Sequence, residues 1–245
     1  MFPIRDHNPS GRRPLVTYAL IFANILVFLS YWLTTTDQNH LGWLFFNWGL
    51  VPARTMSGAA PLTWITHMFL HGGWMHLAGN MLFLWIFGDN LEDEMGHAGF
   101  AVFYLVAGLA AAVLQIASDP ASSDPMVGAS GAIAGVLGGY LLLYPRARVD
   151  VLVIFVIFFR IFTIPAWLVL GVWFGFQLLS GSIGMGDGVA YMAHVGGFIA
   201  GVVLTLPVLL LRGGRAFWAR TQGHPPHPAG EYKFSTSSIP LVRRR

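Results

Sequence analysis

Six apolar runs govern what this chain can fold into. Residues 14–33, 74–87, 98–117, 127–144, 165–180 and 189–211 consist mostly of Leu, Val, Ile, Phe, Ala and Gly and are almost free of charge. The first is about 20 residues long, enough for a helix to cross the hydrocarbon core of a bilayer. In hydrocarbon a backbone must satisfy its own hydrogen bonds, so such runs fold as helices. The expected fold class is an all-α polytopic membrane protein, a six-transmembrane-helix bundle. Charged residues make up only 10% of the chain, against about 25% in soluble domains. There is no cysteine, which excludes a disulfide framework and a thiolate metal site. The formal charge of +3 does not point to nucleic acid, and no cofactor is implied.

The connections carry their own signals. Residues 34–73 mix Trp43, Phe45, Phe46, Trp48 and Trp64 with polar residues. The stretch is too aromatic for a solvated loop and too interrupted to span. It reads as short helices half-buried in the outer leaflet, a membrane-embedded first outer loop. Residues 88–94 close the second run with Asp89, Glu92, Asp93 and Glu94, and 118–126 form a turn-rich loop. Residues 149–164 read as a β-branched, apolar connection interrupted by Arg160, and 181–188 as a flexible loop. The chain divides into an N-terminus (1–13), a six-span core (14–211) and a Pro-, Ser- and Arg-rich tail (212–245) expected to be disordered.

Six spans place both ends on one side. Of the 14 Lys and Arg residues, all but Arg54 lie in the N-terminus, the 145–164 connection or the tail. The positive-inside rule makes that side cytoplasmic. Ser130, early in the fourth span, and His194, early in the sixth, then lie toward the outer face at similar depth.

That pairing suggests chemistry. A serine in Gly128-Ala129-Ser130-Gly131 at a helix start is uncrowded and sits beside unpaired first-turn N–H groups. Acyl transfer needs such donors beside a nucleophile. A neutral histidine can take the serine proton. Small residues at a helix start also serve packing alone, and a core histidine can simply bond a carbonyl. Gly197 and Gly201, at i+3 and i+7 from His194, share its helix face and admit a close neighbour. The matching strip is Gly131, Ala134, Gly135 and Gly138, so spans four and six are expected to pack small against small. His76 and Asn80, at i and i+4 in span two, share one face at that depth. They read as oxyanion donors or as a polar clasp between helices. His67 and His71 have metal-ligand spacing, with His76 nearby, but no carboxylate within reach in sequence completes a site.

Three segments carry a resemblance: Gly128–Gly131, the stretch 193–201 (AHVGGFIAG) and the stretch 71–80 (HGGWMHLAGN). Together, in this order over about 14–211, they resemble the rhomboid intramembrane serine proteases. The resemblance implies a Ser–His dyad, Ser130 and His194, with no acidic third member. It implies an oxyanion hole of His76, Asn80 and the Ser130 backbone N–H, shaped by the loop holding Gly128. It also implies single-span transmembrane substrates admitted sideways between spans two and five, and a bacterial inner membrane. Two positions depart from the family. Leu62 and Thr63 stand where many members carry Trp-Arg. Ala134 stands where some bacterial members carry a Tyr stacked on the histidine, so the aromatic contact has to come from elsewhere.

Two other functions compete. A catalytically inactive rhomboid-like protein would bind membrane clients, but such relatives lose the serine or the histidine, and both are present. A transporter would carry protons on buried histidines and show repeat-related broken helices; the sequence has no internal repeat.

Overall fold

Small residues set the centre of the fold. Helix α6, Ser130–Leu143, has ten consecutive buried residues from Gly131 to Tyr140. In the computed structural model, which describes residues 2–35, 37–155, 158–184 and 188–224, the other helices surround it. The tail from 225 and Asp187 of the 181–188 loop lie outside the described residues.

The run 127–144 was expected to span as one helix, and here the structure differs. Gly128 takes φ 124°, which L-residues avoid, so helical geometry begins only at Ser130. Fourteen residues rise about 21 Å, short of the ~30 Å hydrocarbon core. Residues 119–129, which lead into Ser130, are irregular backbone.

The second and third spans belong to one element, α5, Trp74–Ser118, which turns at Gly96 (φ 72°, ψ 165°). Its arms double back: Leu91 of the first and Phe103 of the second both lie beside Gly139. The acidic stretch 88–94 was expected to be a closing turn. It is helical instead, because neighbouring segments satisfy its carboxylates. Glu92 accepts from the backbone N–H of Val16 and Thr17, at 2.8 Å each, and from Thr17 Oγ1 at 2.7 Å. It thereby caps α1, Leu15–Trp32, whose own N-cap residue offers no side chain. Asp93 accepts from Gly11 N at 2.8 Å. Glu94 pairs with Arg212 and accepts from Tyr144 Oη at 2.6 Å. Helix α1 buries Thr17, Asn24, Phe28 and Tyr31 as one stripe, flanked by half-buried Leu20, Ile21, Val27 and Trp32 packed against the core.

Between α1 and α5 the chain forms α2 (Gln38–Trp48), α3 (Pro52–Met56), α4 (Thr63–Thr66) and a 3₁₀ turn at His67–Phe69. Short helices were expected here. Two ties hold them. Tyr31 Oη donates to His71 O at 2.7 Å and accepts from His71 N at 2.8 Å. Leu50 and Met126 exchange both backbone bonds, at 3.0 and 2.8 Å.

The connection 149–164 was read only as β-branched and apolar, and it is a β-hairpin: β2, Arg148–Phe155, pairs antiparallel with β3, Phe158–Pro165. The N-terminal Phe2–Asp6, β1, adds a third strand in the order β1-β2-β3. Alternation explains it. Val149 and Val151 turn one face into the core. Asp150 on the other face binds Arg5 and His7, each at 2.9 Å, and Thr163 at 2.6 Å. Helix α7, Ala166–Ile183, follows Pro165 directly, then α8, Tyr191–Leu211. The tail was expected to lack structure, but Arg215–Thr221 forms helix α9. Phe217 buries in the core, and Trp218 Nε1 donates to Leu142 O at 3.0 Å.

Among the described residues four helices are long and apolar enough to cross a membrane, and the turn at Gly96 makes two arms of the longest. The chain is a helical, multi-pass membrane protein.

Candidate active site

The α6–α8 contact brings the proposed reacting groups together. A Cβ on Gly197 would collide with the Gly131 carbonyl, and one on Gly201 with that of Gly135. Glycine at these positions lets the two helices touch along their backbones. His194 sits one turn before Gly197 on α8 and Ser130 one residue before Gly131 on α6, so the same contact sets their separation. His194 Nε2 lies 2.8 Å from Ser130 Oγ. The start of α8 is held by Gln115 of α5, whose Oε1 accepts from Ala193 N at 3.0 Å.

On the far side of the ring, His194 Nδ1 lies 2.7 Å from Gln177 Oε1 on α7. An amide oxygen only accepts, so Nδ1 carries the proton and Nε2 is left bare toward Ser130. Trp173, one turn before Gln177, sets its ring 5.9 Å from the imidazole, tilted by 35°. Ala134 is buried against Gly197, and Trp173 supplies the aromatic contact instead. The sequence reading missed both Trp173 and Gln177. Their signal was faint: a lone amide in an apolar span, four residues after a tryptophan.

A cavity of about 550 Å³ opens over Ser130 and is lined by His76, Asn80, Gly128, Trp173 and His194 among others. The Gly72 N–H donates to His76 Nδ1 at 3.3 Å, so the proton of the neutral ring is on Nε2. That nitrogen faces Gly128. A Cβ at Gly128 would stand 2.7 Å from His76 Nε2 and 3.6 Å from Asn80 Nδ2. Glycine at 128 thus meets two demands, a positive φ and empty space between two donors. Asn80 Nδ2 is buried and has no hydrogen-bond partner among the described residues. A buried unsatisfied donor costs about 1–3 kcal/mol, a cost that a ligand oxygen would remove. Ala129 supplies no side-chain cap to the first-turn N–H groups of α6.

His67 also lines the cavity. His67 Nδ1 donates to Thr63 O at 2.7 Å. Both nitrogens of His71 are buried without a partner, and its ring meets that of His76 edge-on at 5.0 Å. Among the described residues no three His, Asp or Glu side chains converge as metal ligands. Leu62 is 68% exposed, and Thr63 faces inward beside His67.

The family model for the rhomboid domain matches residues 59–211. The chain belongs to the rhomboid family. RHOMBOID-like protein 5 of Arabidopsis thaliana is 34% identical over 148 residues, 60% of this chain and 44% of that protein. Rhomboid protease GluP of Bacillus subtilis (strain 168) is 31% identical over 202 residues, 80% of this chain and 36% of that one. Rhomboid protease GlpG of Salmonella choleraesuis (strain SC-B67) is 25% identical over 193 residues, 77% of this chain and 61% of that one. The matched part of this rhomboid thus spans less than half the length of the first two relatives. The matched residues 59–211 include His76, Asn80, Gly128, Ser130 and His194 at the cavity.

Proposed function

We propose that this rhomboid is an intramembrane serine endopeptidase using Ser130 and His194 as a catalytic dyad. The carrying observation is the 2.8 Å contact between Ser130 Oγ and His194 Nε2, beside an Asn80 Nδ2 that has no partner among the described residues. His194 Nε2 takes the hydroxyl proton as Oγ attacks the scissile carbonyl. The Ser130 N–H, His76 Nε2–H and Asn80 Nδ2 hold the resulting oxyanion. The imidazolium then gives its proton to the leaving amine, and an acyl-enzyme remains. Water attacks that ester with His194 again as base, which frees Ser130.

The reading extends to substrate and orientation. The charge distribution supports cytoplasmic termini, which puts the cavity toward the outer face of a bacterial inner membrane. Membership of the rhomboid family supports transmembrane substrates within the bilayer, and we read them as single-span. A peptide bond inside a helix has its carbonyl hydrogen-bonded along the axis, and unwinding it in hydrocarbon exposes groups costing several kcal/mol each. A scissile bond near the outer end of the substrate span, with small residues there and Gly or Pro a few residues deeper, lowers that cost. The alternative, an inactive client-binding relative, is disfavoured by an intact serine and histidine in hydrogen-bond contact.

Purified protein in proteoliposomes with a single-span substrate tests the reading. Cleavage is expected near the outer end of the substrate span, slowed when the substrate's Gly or Pro residues become Leu. Cleavage at the cytoplasmic end, or indifference to Leu, contradicts the outward-facing site.

A further inference from the structure

Among the described residues no carboxylate stands behind the Ser–His pair, yet the imidazole is not left to itself. Its Nδ1–H meets Gln177 Oε1 at 2.7 Å, and Trp173 lies over it from the same face of α7. A neutral imidazole has two tautomers, and only the one protonated at Nδ1 leaves Nε2 free to accept from serine. In the other tautomer Nε2–H would point at Ser130 Oγ and no base would face the nucleophile. We propose that Gln177 is a positioning residue that holds His194 in the reactive tautomer and ring orientation, the place a carboxylate takes in a triad. The inference rests on the dyad reading.

The location of Gln177 gives it a second property. Helix α7 is the least buried of the long helices, with only Ala166, Leu170 and Ser180 buried. It leans on α8 through Phe174 and Phe198, stacked at 4.4 Å, and through the Trp173–His194 contact. Nothing lies within 4 Å of where a Cβ would stand on Gly171 or Gly175. Trp173 and Gln177 are one turn apart on one face, so a displacement of α7 removes both contacts from His194 together. The dyad is aligned only while α7 is seated against α8. The amide also suits this arrangement better than a carboxylate, because leaving it unpaired strands no charge in an apolar setting.

Gln177→Leu and Gln177→Glu test the proposal in the full-length protein. Leu cannot accept; Glu can. Gln177→Leu should lower kcat at least about 10-fold, and less than the ~10⁴-fold seen when a triad's wrong tautomer is imposed, with KM within about twofold of wild type. Gln177→Glu should restore most of the activity at alkaline pH. Its acid limb should move up by about one pH unit, because a carboxylate favours the imidazolium, which cannot accept a proton. A merely structural residue would not move that limb. The ¹⁵N spectrum of His194 gives a readout independent of catalysis: the proton sits on Nδ1 in wild type and redistributes in Gln177→Leu. Should Gln177→Leu fail to fold, the Glu variant and the wild-type spectrum still decide. Wild-type kcat and an unmoved acid limb in the variants, or a wild-type proton on Nε2, overturns the proposal. Failure of the wild type to cleave while its ¹⁵N spectrum shows Nδ1–H overturns the dyad reading instead.

Discussion

Tyr140 Oη donates to Asp6 Oδ2 across 2.8 Å, tying the N-terminal strand to the core of α6. Tyr140 is fully buried and also packs edge-on against Phe87 at 4.9 Å. The phenol adds a tie to the α6 core for a strand that is already paired with β2. Burial pushes the Asp6 carboxyl from 3.8 up to about 7, although the Tyr140 bond opposes the shift.

That shift has a sign that can be measured. Between about pH 3.8 and about pH 7 the folded chain binds a proton at Asp6 that the unfolded chain does not. Stability therefore falls as pH rises through that window and levels off above it. Asp6→Asn keeps an acceptor for Tyr140 and removes the charge. Its midpoint of thermal unfolding should exceed that of wild type at pH 8 and approach it near pH 4. A wild-type advantage at pH 8 would contradict the assignment.

The oxyanion groups differ in what their loss does. Asn80→Ala removes one donor and should lower turnover roughly 10- to 1000-fold, while a fluorophosphonate probe still labels Ser130. Gly128→Ala puts a methyl group 2.7 Å from His76 Nε2 in a backbone conformation strained for alanine. It should cost at least as much activity and lower the unfolding midpoint as well. Unchanged turnover in both variants would mean that this cavity does not hold the developing negative charge.

Glu92 gives a purely structural test. Its carboxylate serves two α1 backbone N–H groups and the Thr17 hydroxyl from within α5. In Glu92→Gln one carboxylate oxygen becomes an NH₂ facing donors. The expected loss is about 1–3 kcal/mol, seen as a lower unfolding midpoint with the dyad still reactive at low temperature. An unchanged midpoint would show that α1 does not depend on this cap.

The sequence disclosed the bundle because burying helices in lipid requires long apolar runs, and those are visible without any neighbour. Ser130 and His194 were legible as one reactive group each, early in spans entering from the same side. Gln177 and Trp173 were not, because a single amide in an apolar helix has no meaning until α7 is placed against His194. The acidic stretch 88–94 looked like a turn, since nothing local reveals that Val16, Thr17, Gly11 and Arg212 will satisfy it. The β-sheet escaped for a related reason. Val149, Asp150 and Val151 alternate, but β1 supplies Arg5 and His7 from about 145 residues away. The shortness of α6 turned on one residue, Gly128, whose positive φ composition does not announce.

An acidic third member is excluded by one combined variant. Asp119, Asp124 and Asp187 are the acidic residues of the later loops near the Ser130 end, Asp187 lying outside the described residues. Replacing all three by Asn should leave cleavage intact, because His194 Nδ1 is already occupied by Gln177. A folded but inactive triple variant would make the site a triad.

The most direct measurement is the cleavage rate of a single-span substrate in proteoliposomes by wild type, Ser130→Ala, His194→Ala and the double variant. Dyad members act as a unit, so either single substitution should abolish cleavage and the double should be no worse. All three variants should keep the wild-type unfolding profile within a few degrees. Cleavage that persists in a folded Ser130→Ala or His194→Ala protein would contradict the dyad.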